Sequence, residues 1–244
     1  MKHVICVAAL CFLSAHASAQ VVRAVTEDNP NLHHAGPGHG VVGPGADLVR
    51  EVMERAGLQS DVKIYPWPRA YALAQTQANV LIFSLGRTPE REMKFKWVGE
   101  ILNARFRFIK LKSRTDIALK TLDDARQYSI GVTNEDITHQ FLIKKGFPAG
   151  HIDLASDTDM NINKLLAGRM DLMMGSASNV SSLCTHDPTI CDKTETALMV
   201  DEMNTSLYMA FSNATSDEIV ERARKAYGSI RADGTYERIM RAVR

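Results

Sequence analysis

The chain has 244 residues, 45% of them apolar, with 29 basic against 28 acidic side chains and a formal net charge of +1. So even a balance gives a polyanion no field to follow, which argues against nucleic acid or an anionic membrane surface as partner. The length is more than one hydrophobic core uses and suits two lobes of about 100 residues each.

At the N-terminus, Met1-Lys2-His3 precedes an apolar run over 4–13 and the small-residue site Ala17-Ser18-Ala19. A basic start, a short apolar core and an A-x-A site make a secretory signal peptide, too short to span a bilayer. Cleavage near Ala19 and a periplasmic location are expected. Cys11 follows the bulky Leu10 and reads as part of the apolar run, not as a lipid-anchored cysteine. Removing Lys2 with this leader leaves about 28 basic residues against 28 acidic ones.

From there, strand-like and helix-like patches alternate, the signature of an α/β fold. Residues 21–26 read as a strand, 27–45 as a Gly/Pro/His-rich loop, and 46–56 as a helix stopped by Gly57. A strand over 62–65, a helix over 68–76 opened by Pro66-Trp67-Pro68, and a strand over 79–84 complete a first unit. Residues 95–110, rich in aromatic and β-branched side chains, suit one or two strands, and 111–114 a connector.

A second unit follows, with short helices over 122–127, 137–145 and 160–167 and strands over 129–132, 151–155 and 170–174. It closes with a cysteine loop and a strand near 197–200. A strand over 206–212 and helices over 217–231 and 234–244 return to the first pattern. The chain is therefore expected to cross twice between lobes, 20–112 plus 206–244 forming one and 113–205 the other, and a double crossover is a hinge.

Of the four cysteines, Cys6 and Cys11 leave with the leader, whereas Cys184 and Cys191 remain. Two cysteines in an oxidising compartment point to a disulfide around Pro188. The alternative, a metal pair assisted by His186, offers three ligands at a spacing unlike zinc motifs. His33, His34 and His39 lie in the first loop and could bind copper, zinc or nickel, or be ordinary loop histidines.

Four segments in order, GADLVREVMERAG at 45–57, LIFSLGRTPERE at 81–92, LLAGRMD at 165–171 and IRADGTY at 230–236, resemble the type II periplasmic binding proteins of solute-binding protein family 3. PWPRAY at 66–71 is similar to a subgroup of that family. The resemblance covers nearly the whole mature chain. It implies two α/β lobes that close on a small polar ligand, amino-acid-like or carboxylate-bearing, and hand it to an inner-membrane permease or a sensor. A monomer without cofactor is the family precedent.

Residue by residue, Arg91 matches the arginine that grips a ligand carboxylate, a role its forked guanidinium fits; otherwise it is a surface partner of Glu90 or Glu92. Ser84 and Gly86 match cleft-lining positions or serve a turn. Trp67 matches a stacking aromatic or belongs to the core, and Arg69 is a second cationic contact or an exposed helix residue. Glu27 could offer a carboxylate to a ligand amine or be a solvated loop acid.

In the second lobe, Asp136, Thr138 and His139 lie at a helix N-terminus suited to an anion, where Asp136 or Asn134 could equally be a cap. Ser176 follows the strand at 170–174, where amino-acid receptors carry an acid for the α-amino group; residues 175–179 contain none. The competing class is an enzyme on the same fold, such as a dehydratase of a cyclic carboxylic acid. The chain holds no serine elbow, HExxH or phosphate loop to support it.

Overall fold

A computed structural model describes residues 21–178, 184 and 187–243. The expected leader and His186 lie outside the described residues. The chain runs β1 (Val21–Thr26), a hairpin of β2 (His34–Ala35) and β3 (Val41–Val42), α1 (Pro44–Arg55), β4 (Gln59–Ile64), α2 (Trp67–Thr76), β5 (Val80–Gly86) and β6 (Phe95–Ala104). It continues through β7 (Phe106–Leu111), β8 (Ile130–Thr133), α3 (Ile137–Lys144), β9 (Ile152–Ala155), α4 (Thr158–Leu166) and β10 (Leu172–Ser176). After α5 (Pro188–Lys193) and β11 (Thr194–Met199) come β12 (Thr205–Ser212), α6 (Asp217–Ala232) and α7 (Thr235–Met240).

Two five-stranded sheets organise these elements, one in the order β4-β1-β5-β12-β6 and the other β11-β7-β10-β8-β9. In the first, β1 runs parallel to β4 and β5, whereas β12 is antiparallel to β5 and β6. In the second, β8 is parallel to β9 and β10, and β7 is antiparallel to β10 and β11. The chain changes sheet at Arg105 and returns over 200–204, which produces the two-crossover α/β architecture expected from the sequence.

Helix α1 forms because Ala46, Leu48, Val49, Val52 and Met53 recur on one face, all buried, behind Pro44 in its first turn. Gly43 sits at φ 111° with the Leu32 carbonyl 2.8 Å from where a Cβ would be, so the entry to the helix admits no side chain. The buried face of α6, including Ile219, Val220, Ala223 and Ile230, packs into the same core as α1. Arg222 of α6 donates to the free carbonyls of Ala56 and Gly57 at the end of α1. The C-terminal helices are thus bound to the first lobe by core packing and by a cap.

Cys184 and Cys191 form a disulfide, with 5.5 Å between their Cα atoms. The segment between them is not all loop. Asp187 accepts from the Thr189 N–H as N-cap, Pro188 follows in the first turn, and Cys191 rides on α5. The bridge closes a short stretch, with a sequence separation of 7. Replacing both cysteines by serine is expected to cost about 2 to 3 kcal/mol on the loop-entropy scale. A lower urea midpoint with an unchanged m-value is the expected reading.

One histidine of the first loop does not lie on the surface. His33 is buried, its ring 4.9 Å from that of Phe83 and its Nε2 3.0 Å from the Thr26 hydroxyl. Among the described residues, no group of three or more His, Cys, Asp or Glu is placed to hold a metal ion.

Candidate functional site

The site lies where the parallel strands of both sheets end. Glu27 follows β1, Ser84 and Gly86 end β5, Thr133 ends β8 and Ser176 ends β10. Open α/β sheets place ligand sites beyond the carboxyl ends of their strands, because the loops there are free to vary over a rigid base. These residues line one small interlobe cavity of about 30 Å³ together with Asp136, Ile137, Thr158, Phe106 and Met174. That volume is on the scale of one water molecule, so the lobes are closed upon each other.

Two local features aim the first lobe's groups inward. Ser84 has φ 59°, a left-handed conformation that is unfavourable for a residue with a side chain, and it falls where the β5–β12 register shifts. The bulge turns its Oγ into a position that is shut off from solvent and has no hydrogen-bond partner. Gly86 allows the close approach of the other lobe, since a Cβ there would lie 2.8 Å from Ile137 Cδ1.

On the second lobe, Asp136 caps α3, accepting from the Ile137 N–H at 2.5 Å and from the Thr138 hydroxyl at 3.1 Å. The preceding residue, Glu135, sits at φ 60° and turns its carbonyl toward the first lobe. That carbonyl accepts from Arg91 Nη2 at 2.9 Å and from Trp67 Nε1 at 3.2 Å, a latch between lobes.

Arg91 is fully buried. Its other terminal nitrogen donates to the Gly86 carbonyl at 3.3 Å, and its guanidinium lies 5.0 Å from the centre of the Tyr71 ring. It is not a surface partner of its neighbours: Glu92 pairs with Arg87, and Glu90 with Lys144 of the opposite lobe. Tyr71, which sequence reasoning did not single out, sits one turn after Trp67 on the same face of α2; that spacing was the available signal.

The remaining candidates are distributed differently. Trp67 is buried in the first lobe's core while its indole N–H reaches the latch. Thr138 is buried under the Asp136 cap, and His139 Nδ1 accepts from the Glu135 N–H at 3.3 Å. Ser176 is buried and 3.1 Å from the Ser178 hydroxyl. Arg69 is exposed, its guanidinium 4.5 Å over the Tyr65 ring and apart from the cavity.

Electrostatics single out the two acids. Burial pushes the Glu27 carboxyl well above the ordinary carboxylate range, and the charge of Asp136 pushes it further, with Asp157, Asp28 and Asp159 adding to the effect. Burial also raises Asp136, against the opposing pull of Arg91 and of its own hydrogen bonds from Ile137 and Thr138. Among the described residues lining the cavity, Glu27 and Asp136 are the only ionisable side chains. A more open groove of about 620 Å³ flanks the hinge, lined by Arg87, Glu90, Phe141, Lys144 and Met203 among others, and none of the sequence-derived site residues lines it.

Several solved structures share this fold. A histidine kinase sensor domain with similarity to periplasmic binding proteins superposes with a TM-score of 0.80 at 14% identity, over 90% of this chain and 93% of that one. An ancestral arginine-binding protein bound to arginine gives 0.79 at 18% identity, covering 91% and 96%. The arginine-, lysine-, histidine-binding protein ArtJ from Geobacillus stearothermophilus gives 0.77 at 20% identity, covering 90% and 93%. No curated protein matches the chain in sequence. The sequence profile of one family spans residues 21–242, essentially the whole described chain, and on that match the chain belongs to the bacterial extracellular solute-binding proteins, family 3.

Proposed function

We propose that this solute-binding protein captures one small polar metabolite, amino-acid-like or carboxylate-bearing, between its lobes and releases it chemically unchanged to a permease or a sensor of the inner membrane. The observation that carries this reading is the interlobe cavity, lined from one side by Glu27, Ser84 and Gly86 and from the other by Asp136 and Ser176. Burying a small polar molecule requires its hydration to be replaced by placed hydrogen bonds, and two lobes can supply them from all sides.

Ligand contact is assigned to Glu27, Ser84, Asp136 and Ser176, with Thr138 and His139 supporting the Asp136 turn. Arg91 and Trp67 hold the lobes together through the Glu135 carbonyl, and an incoming carboxylate has the option of replacing that carbonyl on Arg91. The lobes themselves are taken to divide where the sheets do, at Arg105 and over 200–204; the boundary expected at 112/113 lies just beyond β7. A periplasmic location with a leader removed near Ala19, and a monomeric state, complete the proposal.

A thermal-shift screen of the purified protein against amino acids, carboxylates, small peptides, amines and divalent metals tests it. Binding stabilises the native state by mass action, by about 2.7 kcal/mol at a hundredfold excess over Kd, and so raises Tm. One chemical class is expected to shift Tm and to be recovered unaltered by mass spectrometry after incubation. Consumption of the compound would replace the receptor by the enzyme, and a silent screen would remove solute binding from this cleft.

A further inference from the structure

Two cavities of very different size meet at one side chain. The interlobe cavity, about 30 Å³, and the groove flanking the hinge, about 620 Å³, share a single lining residue among those described, Ile137. The residue before it, Asp136, lines the cavity, whereas Gln140 and Phe141, one turn further along α3, line the groove. The first lobe divides in the same way: Gly86 and Leu207 line the cavity, Arg87 and Thr205 the groove. Ile137 therefore stands as the partition between the two spaces.

Its seat accounts for the seal. Ile137 is buried at the start of α3, behind the Asp136 cap. Its Cδ1 reaches the other lobe, lying 2.8 Å from where a Gly86 Cβ would be, so that an aliphatic tip meets bare backbone. Hydrogen bonds fix that backbone, the Arg87 N–H donating to the Ser206 carbonyl at 3.2 Å and the Thr205 hydroxyl to the Arg87 carbonyl at 2.9 Å. Met203 on the groove side and Leu207 on the cavity side belong to the same core cluster as Ile137. Each lobe thus contributes one half of the wall, and the wall is complete only when the lobes have closed.

The volumes decide what the wall does. One space is on the scale of a water molecule, while the other falls within the range of about 300 to 1,000 Å³ that holds whole small ligands. Resting on the solute-binding reading, we propose that Ile137 is a specificity-determining residue that limits ligand length: the lobes close on a compact molecule and reject an elongated homologue, whose chain finds no way past Ile137 into the groove. The rejection is steric. A chain too long for the cavity must either push Ile137 off Gly86 or hold the lobes apart. Beyond the partition, Phe141, Ile143 and Met203 give the groove an apolar lining, so removing the wall turns a barrier into a favourable place for apolar carbons.

The test uses two homologous series of probes, one of alanine, norvaline, norleucine and 2-aminooctanoate, the other of propionate, pentanoate, hexanoate and octanoate. Both are titrated calorimetrically into the wild type and into Ile137→Ala. In the wild type, affinity is expected to fall along the series that binds, the longest member being roughly 10- to 100-fold weaker than the shortest, on the scale of overpacking a filled site. In Ile137→Ala the order should invert, each methylene that enters the groove strengthening binding by about fourfold. Should the alanine variant fail to fold, Ile137→Val, which removes only the terminal methyl that meets Gly86, should lift part of the wild-type penalty on the longer probes.

The same ranking by length in the wild type and the variant, or wild-type affinity that rises along the series, would overturn the partition and leave the solute-binding reading intact. No binding of either series to any of these proteins would remove both.

Discussion

Between pH 7 and pH 5 the native state is expected to lose about 2 kcal/mol through one side chain, His33. Its pKa is lowered from 6.5 to about 3, by burial first and then by the charge of His34. The hydrogen bonds say why. The Thr26 hydroxyl donates its one proton to the Phe83 carbonyl at 3.1 Å, so the contact at 3.0 Å requires His33 Nε2–H to donate to Thr26. That assigns the neutral tautomer with an unprotonated Nδ1, which is buried without a partner, 2.8 Å from where a Gly45 Cβ would be. A second proton would put a charge where nothing accepts it.

The sign follows from the proton count. Below pH 6.5 the unfolded chain takes up a proton that the folded chain refuses, so stability falls with pH through that window until the folded group titrates near 3. The full loss at the acid end approaches about 5 kcal/mol. Glu27 acts oppositely, since its raised carboxyl holds a proton in the folded state, and its contribution shrinks as pH rises above the ordinary 4.5. Comparing the wild type with His33→Gln isolates the histidine, because Glu27 is common to both. Urea denaturation at pH 7 and pH 5 should show about 2 kcal/mol less pH dependence in the variant; equal slopes would mean that His33 charges freely in the fold.

The second large effect belongs to Arg91. Arg91→Ala is expected to weaken ligand binding roughly 10- to 100-fold and to open the unliganded protein, since each charge-assisted hydrogen bond contributes about 1.5 to 3 kcal/mol. The side chain joins Gly86 of one lobe to Glu135 of the other and rests over Tyr71. Removing it leaves the Glu135 carbonyl with Trp67 and the more distant Gln140 amide, at 3.2 and 3.4 Å. Ligand affinity is reduced by whatever fraction of the closed state is lost.

Arg91→Met, which keeps most of the volume without the donors, separates the hydrogen bonds from the cavity left by alanine. Small-angle scattering should give a larger radius of gyration for both variants without ligand, and calorimetry with the tightest-binding probe should give a similar loss for both. A wild-type radius and affinity in Arg91→Met would reduce the latch to packing alone.

Much of the architecture was legible because its signals are local. Apolar spacing with Pro44 ahead and Gly57 behind marks α1, and alternating strand and helix patches locate most of the strands of both sheets. The short helix α5 was missed although Asp187-Pro188 is a capping signal; the two cysteines drew the reading to a loop. Strands β2 and β3, two residues each, are too short for any period to register. The disulfide followed from counting cysteines once the leader was set aside.

The site was legible as a set of residues and not as an arrangement. Resemblance pointed to Arg91, Ser84 and Gly86, and local chemistry pointed to Asp136 as a possible cap, but no spacing in the chain tells that Arg91 turns to a backbone carbonyl on the other lobe. Nor does it tell that Arg69, two residues beyond the buried Trp67, lies outside over Tyr65. Residues 175–179 carry no acid to take an α-amino group, and nothing local in the chain tells that Glu27 and Asp136 reach the cavity from opposite lobes.

What the sequence by itself determined is the order of the longer elements and the class of fold, because period, caps and turn residues act over a few positions, and, through the resemblance of four segments, the family. What only the tertiary structure decided is which charges meet: His33 in the core, Arg91 at the latch and Glu27 against Asp136. Those relations depend on burial and on distances between residues far apart in the chain, and both charge state and hydrogen bonding are set by the surroundings that folding creates.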